Sequence, residues 1–378
     1  MTWLAKGGGV DNNVFLTIDG LKDEFEFHLA VGNEVYHNPF VEIEGLKFIE
    51  CKYLVRPLNF FNDLKALFFF IRLIRKEKYD IVHTHEAKAS LLSRLAAYIA
   101  GCRYIIYGLH GVTFNDPMSY LKRKFYILTE RWTVGVSDLI IGVSKDVISH
   151  YHRQNIGLKI PFKVIHSGID IDKFMKEDQS AESGKETLKA SLNIHQEDII
   201  LINIGRFSFS KAQRFTIQSF AALKKTNSHL KLILVGEGEL TDECKRLVKD
   251  LKMVDDVIFY GFSDRIGTLL SIADIHVLTS LREGLPRVAV EASLMKVPTV
   301  AFTVEGIGEV ITNNESGYLV PPNDVHALTE KINDLIRYKE KRKLFGERAF
   351  EHVKKDWDSK LMIQQLRDVY NQSTSDSF

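Results

Sequence analysis

Short runs of β-branched and other apolar residues alternate along the chain with longer segments whose apolar positions recur at helical spacing. This is the pattern of parallel strands covered by helices on both faces. In the first half it predicts strands at Phe25 to Val31, Tyr79 to His83, Arg103 to Leu109, Leu139 to Val143 and Lys163 to His166. Helices are predicted at Asn59 to Lys78, Ala89 to Ala100, Ser119 to Val136 and Lys145 to Arg153. The polar stretch Lys176 to Lys189, rich in Glu, Ser and Lys, reads as a linker running into a small helix. A second series follows, with strands at Ile199 to Gly205, Leu230 to Val235, Asp256 to Tyr260, Ile275 to Leu278 and Thr299 to Ala301. Its helices are Ala212 to Lys225, Asp242 to Leu251, Arg287 to Lys296 and Val325 to Tyr338.

Two such series predict an α/β chain of two doubly wound, Rossmann-like domains, 1–175 and 176–358. A helix and tail at 359–378 are expected to pack back on the first domain. Sheets of this kind bind ligands at the carboxyl ends of their strands, so the expected site is a cleft straddling the two halves.

The length supports this division, because 378 residues exceed what one core usually holds. Apolar residues at 45% and charged residues at 26% exclude wholesale disorder. A net charge of +1 supplies no field to draw the protein onto nucleic acid. The cysteines, Cys51, Cys102 and Cys244, form no CxxC pair, so neither a disulfide framework nor a structural zinc site is expected, and a reducing cytoplasm fits. The richest apolar segment, Leu64 to Ile74, is interrupted by Lys65 and Arg72 and is too short to span a membrane.

Candidate chemistry concentrates in the second half. In REGLPRVAVE, Glu283 and Glu291 flank Gly284, Leu285 and Pro286. Pro286 suits the first turn of a helix, which leaves Glu283 in the loop ahead of it and Glu291 in its second turn. Carboxylates so placed can each accept two hydrogen bonds from the vicinal hydroxyls of a ribose or hexose. Alone, the pair reads more readily as solvated glutamates beside a turn. The predicted strand ending at Gly205 runs directly into Arg206, and Lys211 opens the next helix, giving GRFSFSK. Free N–H groups at a helix start, with an Arg and a Lys, suit a diphosphate. Gly236, Glu237 and Gly238 follow the next strand, where glycines admit close backbone approach.

The order and spacing of DIVHTHEAKASLLSRLAA, YGLHGVTF, IIGVSKDV, VIHSGIDIDKF, GRFSFSK, VGEGEL, EGLPRVAVEA and ESGYLVPPND resemble the family 4 glycosyltransferases, which have the GT-B fold. The likeness covers nearly the whole chain and is nearest to bacterial enzymes of capsule, exopolysaccharide and O-antigen synthesis. It implies a retaining, metal-independent hexosyltransferase that uses a nucleoside-diphosphate sugar as donor and a glycan or lipid-linked glycan as acceptor. Arg206 and Lys211 would hold the diphosphate, Glu291 the ribose, and Glu283 would lie by the transferred sugar. Gly205, Gly236, Glu237, Gly284 and Leu285 would line the donor. His110, in YGLHGVTF, matches a cleft histidine that meets the donor sugar or the acceptor hydroxyl.

Gly7, Gly8 and Gly9 match the family's glycine-rich loop after the first strand. Only Met1 to Lys6 precede it here, so that strand is expected to be truncated. Ala212 stands where the family has glycine after the lysine, Lys296 where glycine is common, and Glu305 lies in a less glycine-rich turn near the donor sugar. His83 and His85 share a strand face without a third ligand, so a metal site is not expected. Lys122, Arg123 and Lys124, with Tyr120 and Phe125, open a predicted helix and suit acidic lipid headgroups, making peripheral contact with the cytoplasmic membrane face a further expectation.

Alternatives are a GT-B sugar-nucleotide epimerase and a catalytically degenerate binding subunit. A phosphorylase lacks a motif for its pyridoxal lysine. A nicotinamide dehydrogenase lacks the GxGxxG and its distal acid.

Overall fold

The computed structural model describes residues 8–32, 40–55, 57–112, 114, 118–177 and 182–375. The chain divides into two compact units, one formed up to Gly168 and again from Ser359, the other by Ile169–Asp358.

The first unit runs α1 (Gly9–Leu21), β1 (His28–Val31), β2 (Lys47–Glu50), α2 (Phe60–Glu77), β3 (Ile81–His85), α3 (Ala87–Ala100), β4 (Tyr104–Leu109), α4 (Tyr120–Val134), β5 (Leu139–Gly142), α5 (Lys145–Arg153) and β6 (Phe162–Val164). Strands β1 and β2 form a two-stranded parallel sheet, and β3-β4-β5-β6 a second parallel sheet in chain order. The centre of β4, Ile105 to Tyr107, is buried on both faces, as parallel strands covered by helices must be. Arg94 of α3 is fully buried, pairs with Glu130 of α4 at 3.2 Å and stacks on the Tyr107 ring at 3.8 Å. That contact fixes the inner face of α4. Removing one partner would leave a buried charge uncompensated, a loss of about 3–5 kcal/mol.

The second unit continues with α6 (Ile171–Glu177), α7 (Glu182–Ser191), β7 (Ile199–Ile204), α8 (Gln213–Lys224), β8 (Leu230–Val235), α9 (Thr241–Asp250), β9 (Val257–Gly261), α10 (Ile266–Leu270), β10 (Ile275–Leu278), α11 (Arg287–Leu294), β11 (Thr299–Phe302), α12 (Ile307–Val310), β12 (Gly317–Val320), α13 (Val325–Arg337) and α14 (Lys339–Val353). Its strands form one parallel sheet of order β12-β11-β10-β7-β8-β9. The run IILINI of β7 is apolar except for Asn203, and its middle residues are buried from both sides.

Helix α15 (Ser359–Ser375) completes the first unit. Met362, Leu366, Val369 and Tyr370 share a core with Leu21 of α1, Ile106 of β4 and Leu139 and Ile141 of β5. At Gly20 an added Cβ would lie 2.5 Å from Ile363, so α1 and α15 approach at a glycine.

The boundary between units falls at Gly168/Ile169 and not at 175/176. Ile171, Phe174 and Met175 on α6 pack against the second unit's core, and the Ile169 N–H donates to the Trp357 carbonyl at 2.8 Å. The polar stretch expected as a linker instead holds the end of α6 and most of α7, with residues 178–181 outside the described residues. Met1 to Lys6, where a truncated first strand is expected from the sequence, and Gly7 also lie outside them.

Candidate functional site

In the second unit β7 lies between β8 and β10, so the chain leaves this sheet centre in two directions. A crevice forms at the carboxyl edge of a parallel sheet where the strand order reverses. Two loops meet there, 205–212 after β7 and 279–286 after β10. The Leu281 N–H donates to the Ser210 carbonyl at 2.7 Å, and Thr279 Oγ1 donates to the Ala212 carbonyl at 3.1 Å. Beneath them buried Asn203 donates from Nδ2 to the Val277 carbonyl at 2.7 Å and to Thr216 Oγ1 at 3.2 Å, which ties β7 to β10 and α8.

This stitching carries Lys211 Nζ to 2.5 Å from Glu283 Oε1, with side chains 25% and 10% exposed. An ammonium has three N–H groups, so Lys211 keeps donors for a further anion while paired. Glu291 lies on α11, partly buried; burial raises its carboxyl above the ordinary value, and Arg287 and Lys211 oppose that shift. Glu283 sits ahead of α11, as expected, whereas Pro286 occupies the cap position and Arg287 opens the helix.

The glycines act through backbone proximity. A Cβ on Gly236, whose φ is +126°, would stand 2.3 Å from the Gly205 carbonyl oxygen, so the loops after β7 and β8 pack directly together. The Glu237 carbonyl accepts from the Phe207 N–H at 3.1 Å. A Cβ on Gly306, at φ +75°, would stand 2.5 Å from the Gly284 carbonyl oxygen and 3.3 Å from Leu285 Cα. The loop after β11 thereby meets the loop after β10, and Glu305 and Glu283 both act electrostatically on Arg282.

Arg206 departs from the expected cluster. Its side chain is 65% exposed and pairs with Glu239 at 3.3 Å, not with the Lys211 group. Several neighbours carry no signal strong enough to be found in the sequence. Gln213, buried at the start of α8, donates from Nε2 to the carbonyls of Gly205 and Arg206 at 3.2 and 3.1 Å, holding that loop. His276 is fully buried in β10, bonds Thr299 Oγ1 at 3.0 Å, and is pushed down to about 3 by burial and by Lys211. Arg287 was missed as well; its i,i+4 spacing to Glu291 on α11 is the signal that could have found it.

Gly8, Gly9 and His110 belong to the first unit. Gly8 caps α1, accepting from the Asn12 N–H at 3.2 Å, and Gly9 opens the helix. His110 follows β4 at its carboxyl end, and its Nε2 lies 2.8 Å from Nδ1 of buried His85. His85 stacks on His83 with ring centroids 4.3 Å apart, and His83 Nδ1 lies 2.8 Å from Tyr370 Oη. Burial lowers His110 to about 4 and His83 to about 3, and holds His85 well below the usual imidazole value. Among the described residues no group of three or more His, Cys, Asp or Glu side chains could hold a metal ion.

Two family models match the chain in succession, Glycosyltransferase Family 4 over residues 7–173 and Glycosyl transferases group 1 over residues 184–352. The Escherichia coli UDP-Gal:alpha-D-GlcNAc-diphosphoundecaprenol alpha-1,3-galactosyltransferase is 27% identical over 75% of this chain and 72% of its own length. The Bacillus anthracis N-acetyl-alpha-D-glucosaminyl L-malate synthase is 29% identical over 78% of this chain and 75% of its own. The structure of Anabaena HepE in complex with UDP-glucose superposes with a TM-score of 0.80 at 21% identity, covering 98% of this chain and 99% of that one. With the two models together accounting for most of the chain, the protein belongs to the family 4 glycosyltransferases.

Proposed function

We propose that the protein moves a hexose from a nucleoside-diphosphate sugar to a hydroxyl of a glycan or lipid-linked glycan, with retention of configuration and without a metal, in the synthesis of a cell-surface polysaccharide. The observation that carries this reading is the Lys211–Glu283 pair at the strand-order reversal of the second unit. Lys211 binds the diphosphate, and Arg206 joins it by leaving its exposed pair with Glu239; Glu291 accepts from the ribose hydroxyls, and Glu283 lies by the sugar. As the bond between sugar and diphosphate breaks, negative charge collects on the departing phosphate. Lys211 and the positive end of the α8 dipole stabilise it. The acceptor oxygen forms the new bond, and its proton ends on the diphosphate. His110 orients the donor sugar or the acceptor hydroxyl. The E. coli relative, named for a UDP-sugar donor and a diphosphoundecaprenol-linked acceptor, supports the donor and acceptor classes.

Helix α4 supports a membrane-borne acceptor. Leu121, Phe125, Leu128 and Trp132 recur at one helical face and are 77%, 57%, 60% and 73% exposed. Exposed Lys122, Lys124 and Arg131 surround them, and the helix's one acid, Glu130, is buried against Arg94. Such an apolar and cationic face suits the cytoplasmic surface of an anionic bilayer. Among the described residues no helix is long and apolar enough to cross a membrane.

The test is release of nucleoside diphosphate from UDP-, GDP- and ADP-sugars with a lipid-linked acceptor extract. Release from one donor that Lys211→Ala and Glu291→Ala both lose is the expected result. Conversion of a donor to an isomer without acceptor would overturn it in favour of an epimerase.

A further inference from the structure

The histidine pair at the carboxyl edge of the first unit's four-stranded sheet has a geometry that the transfer reading does not use. Strand β3 ends on His85, which is 7% exposed, and β4 is followed by His110. Gly108 of β4 pairs with His85, and a Cβ there would stand 2.6 Å from His85 Nδ1. Any other residue at 108 would push the His85 ring off its partner. The imidazole is also held from behind, by the His83 ring, itself bonded to Tyr370 of α15.

We propose that His85 is a positioning residue for His110: its Nδ1 engages His110 Nε2, selects the tautomer of His110 and turns His110 Nδ1 outward as its working nitrogen. Each imidazole nitrogen makes one in-plane bond, so with Nε2 engaged only Nδ1 remains for another partner. Burial keeps both rings neutral at pH 7, so a single proton lies in the His85–His110 bond. If His85 donates, His110 Nδ1 carries the other proton and donates outward. If His85 accepts, His110 Nδ1 is bare and acts as a base. Either way the two tautomers are coupled, so His110 cannot change what it offers a hydroxyl unless His85 changes with it.

The proposal rests on His110 acting in transfer, and the experiment separates the two. His85→Asn keeps a hydrogen-bonding atom near the position of Nδ1, whereas His85→Phe keeps a ring without one. The expected result is a fall in kcat of about 10- to 100-fold for His85→Phe, the usual size for losing a partner that orients a functional histidine. His85→Asn should retain activity within about threefold. Long-range proton–nitrogen NMR should report one His110 tautomer in the parent and in His85→Asn, and a mixture in His85→Phe. Equal losses in both variants with matching drops in thermal midpoint, or an unchanged His110 tautomer in His85→Phe, would overturn the proposal. Unchanged turnover in His110→Ala would instead remove the role of His110, and with it this one.

Discussion

The two units place functional candidates at the same kind of position, the carboxyl edge of a parallel sheet, and prepare them in opposite ways. In the second unit ionisable groups are set among opposite-sign neighbours: Lys211 bonds Glu283, and Arg287 and Lys211 oppose the burial that raises the Glu291 carboxyl. In the first they stay neutral through burial, with His110 down to about 4 behind His85 and His83. Paired charges suit a ligand that brings and leaves with negative charge. Neutral imidazoles suit hydroxyl groups, which need a donor or acceptor and would gain nothing from a full positive charge.

The contrast is broken most directly at Lys211. Lys211→Ala should lower turnover by about 10²- to 10³-fold, the cost of losing one group that stabilises transition-state charge. Single-turnover rates on folded variant measure it, and an unchanged rate would mean that the pair with Glu283 is only structural. Glu291→Ala should act on donor affinity instead. Losing a charge-assisted hydrogen bond costs about 1.5–3 kcal/mol, so calorimetric binding of the donor should weaken roughly 10- to 100-fold.

Acidification sharpens the other side. Unfolded imidazoles take up protons below about 6.5, whereas folded His110 and His83 wait until about 4 and 3. The unfolded chain therefore binds more protons in that window. Stability carried by the neutral histidines is complete above pH 6.5 and is lost as pH falls through 4 towards 3. Thermal midpoints measured down this range should fall less steeply in a His83→Asn, His110→Asn double variant. Parallel slopes would count against neutral burial as the first unit's device.

The smallest effect is expected at Ala212, which caps α8 at φ +48° beside Lys211. A left-handed conformation favours glycine, so Ala212→Gly should raise stability by about 0.5–1 kcal/mol in denaturant titration. Turnover should stay the same. Lys296 is left-handed too, φ +57°, so both positions where the resemblance leads one to expect glycine hold a backbone conformation that glycine serves.

Much of this was readable in the chain. The strands of the second unit are runs such as IILINI and LKLILV, buried from both sides by local composition. The turn residues after them mark where the site lies. Helix α1 was not legible, because its inward face carries Asn13 and Thr17, which break the apolar period. Asn13 donates from Nδ2 to Ser167 Oγ, 154 positions on, and to Met362 Sδ, and Thr17 Oγ1 donates to the Asn13 carbonyl. Helix α14, dense in charge, and the four-residue β12 were hidden for similar reasons.

The sequence by itself determined the α/β alternation, the family and the residue types available for donor chemistry, because these follow from local periodicity and from short motifs. Only the tertiary structure decided which of them meet. Lys211 and Glu283 are 72 positions apart and touch because β7 and β10 are sheet neighbours. Arg206, five residues before Lys211, turns instead to Glu239. His85 and His110 join because β3 pairs with β4 in the register that sets His85 against Gly108. Such meetings depend on strand order and register, which arise from the packing of the whole sheet and leave no mark at either residue alone.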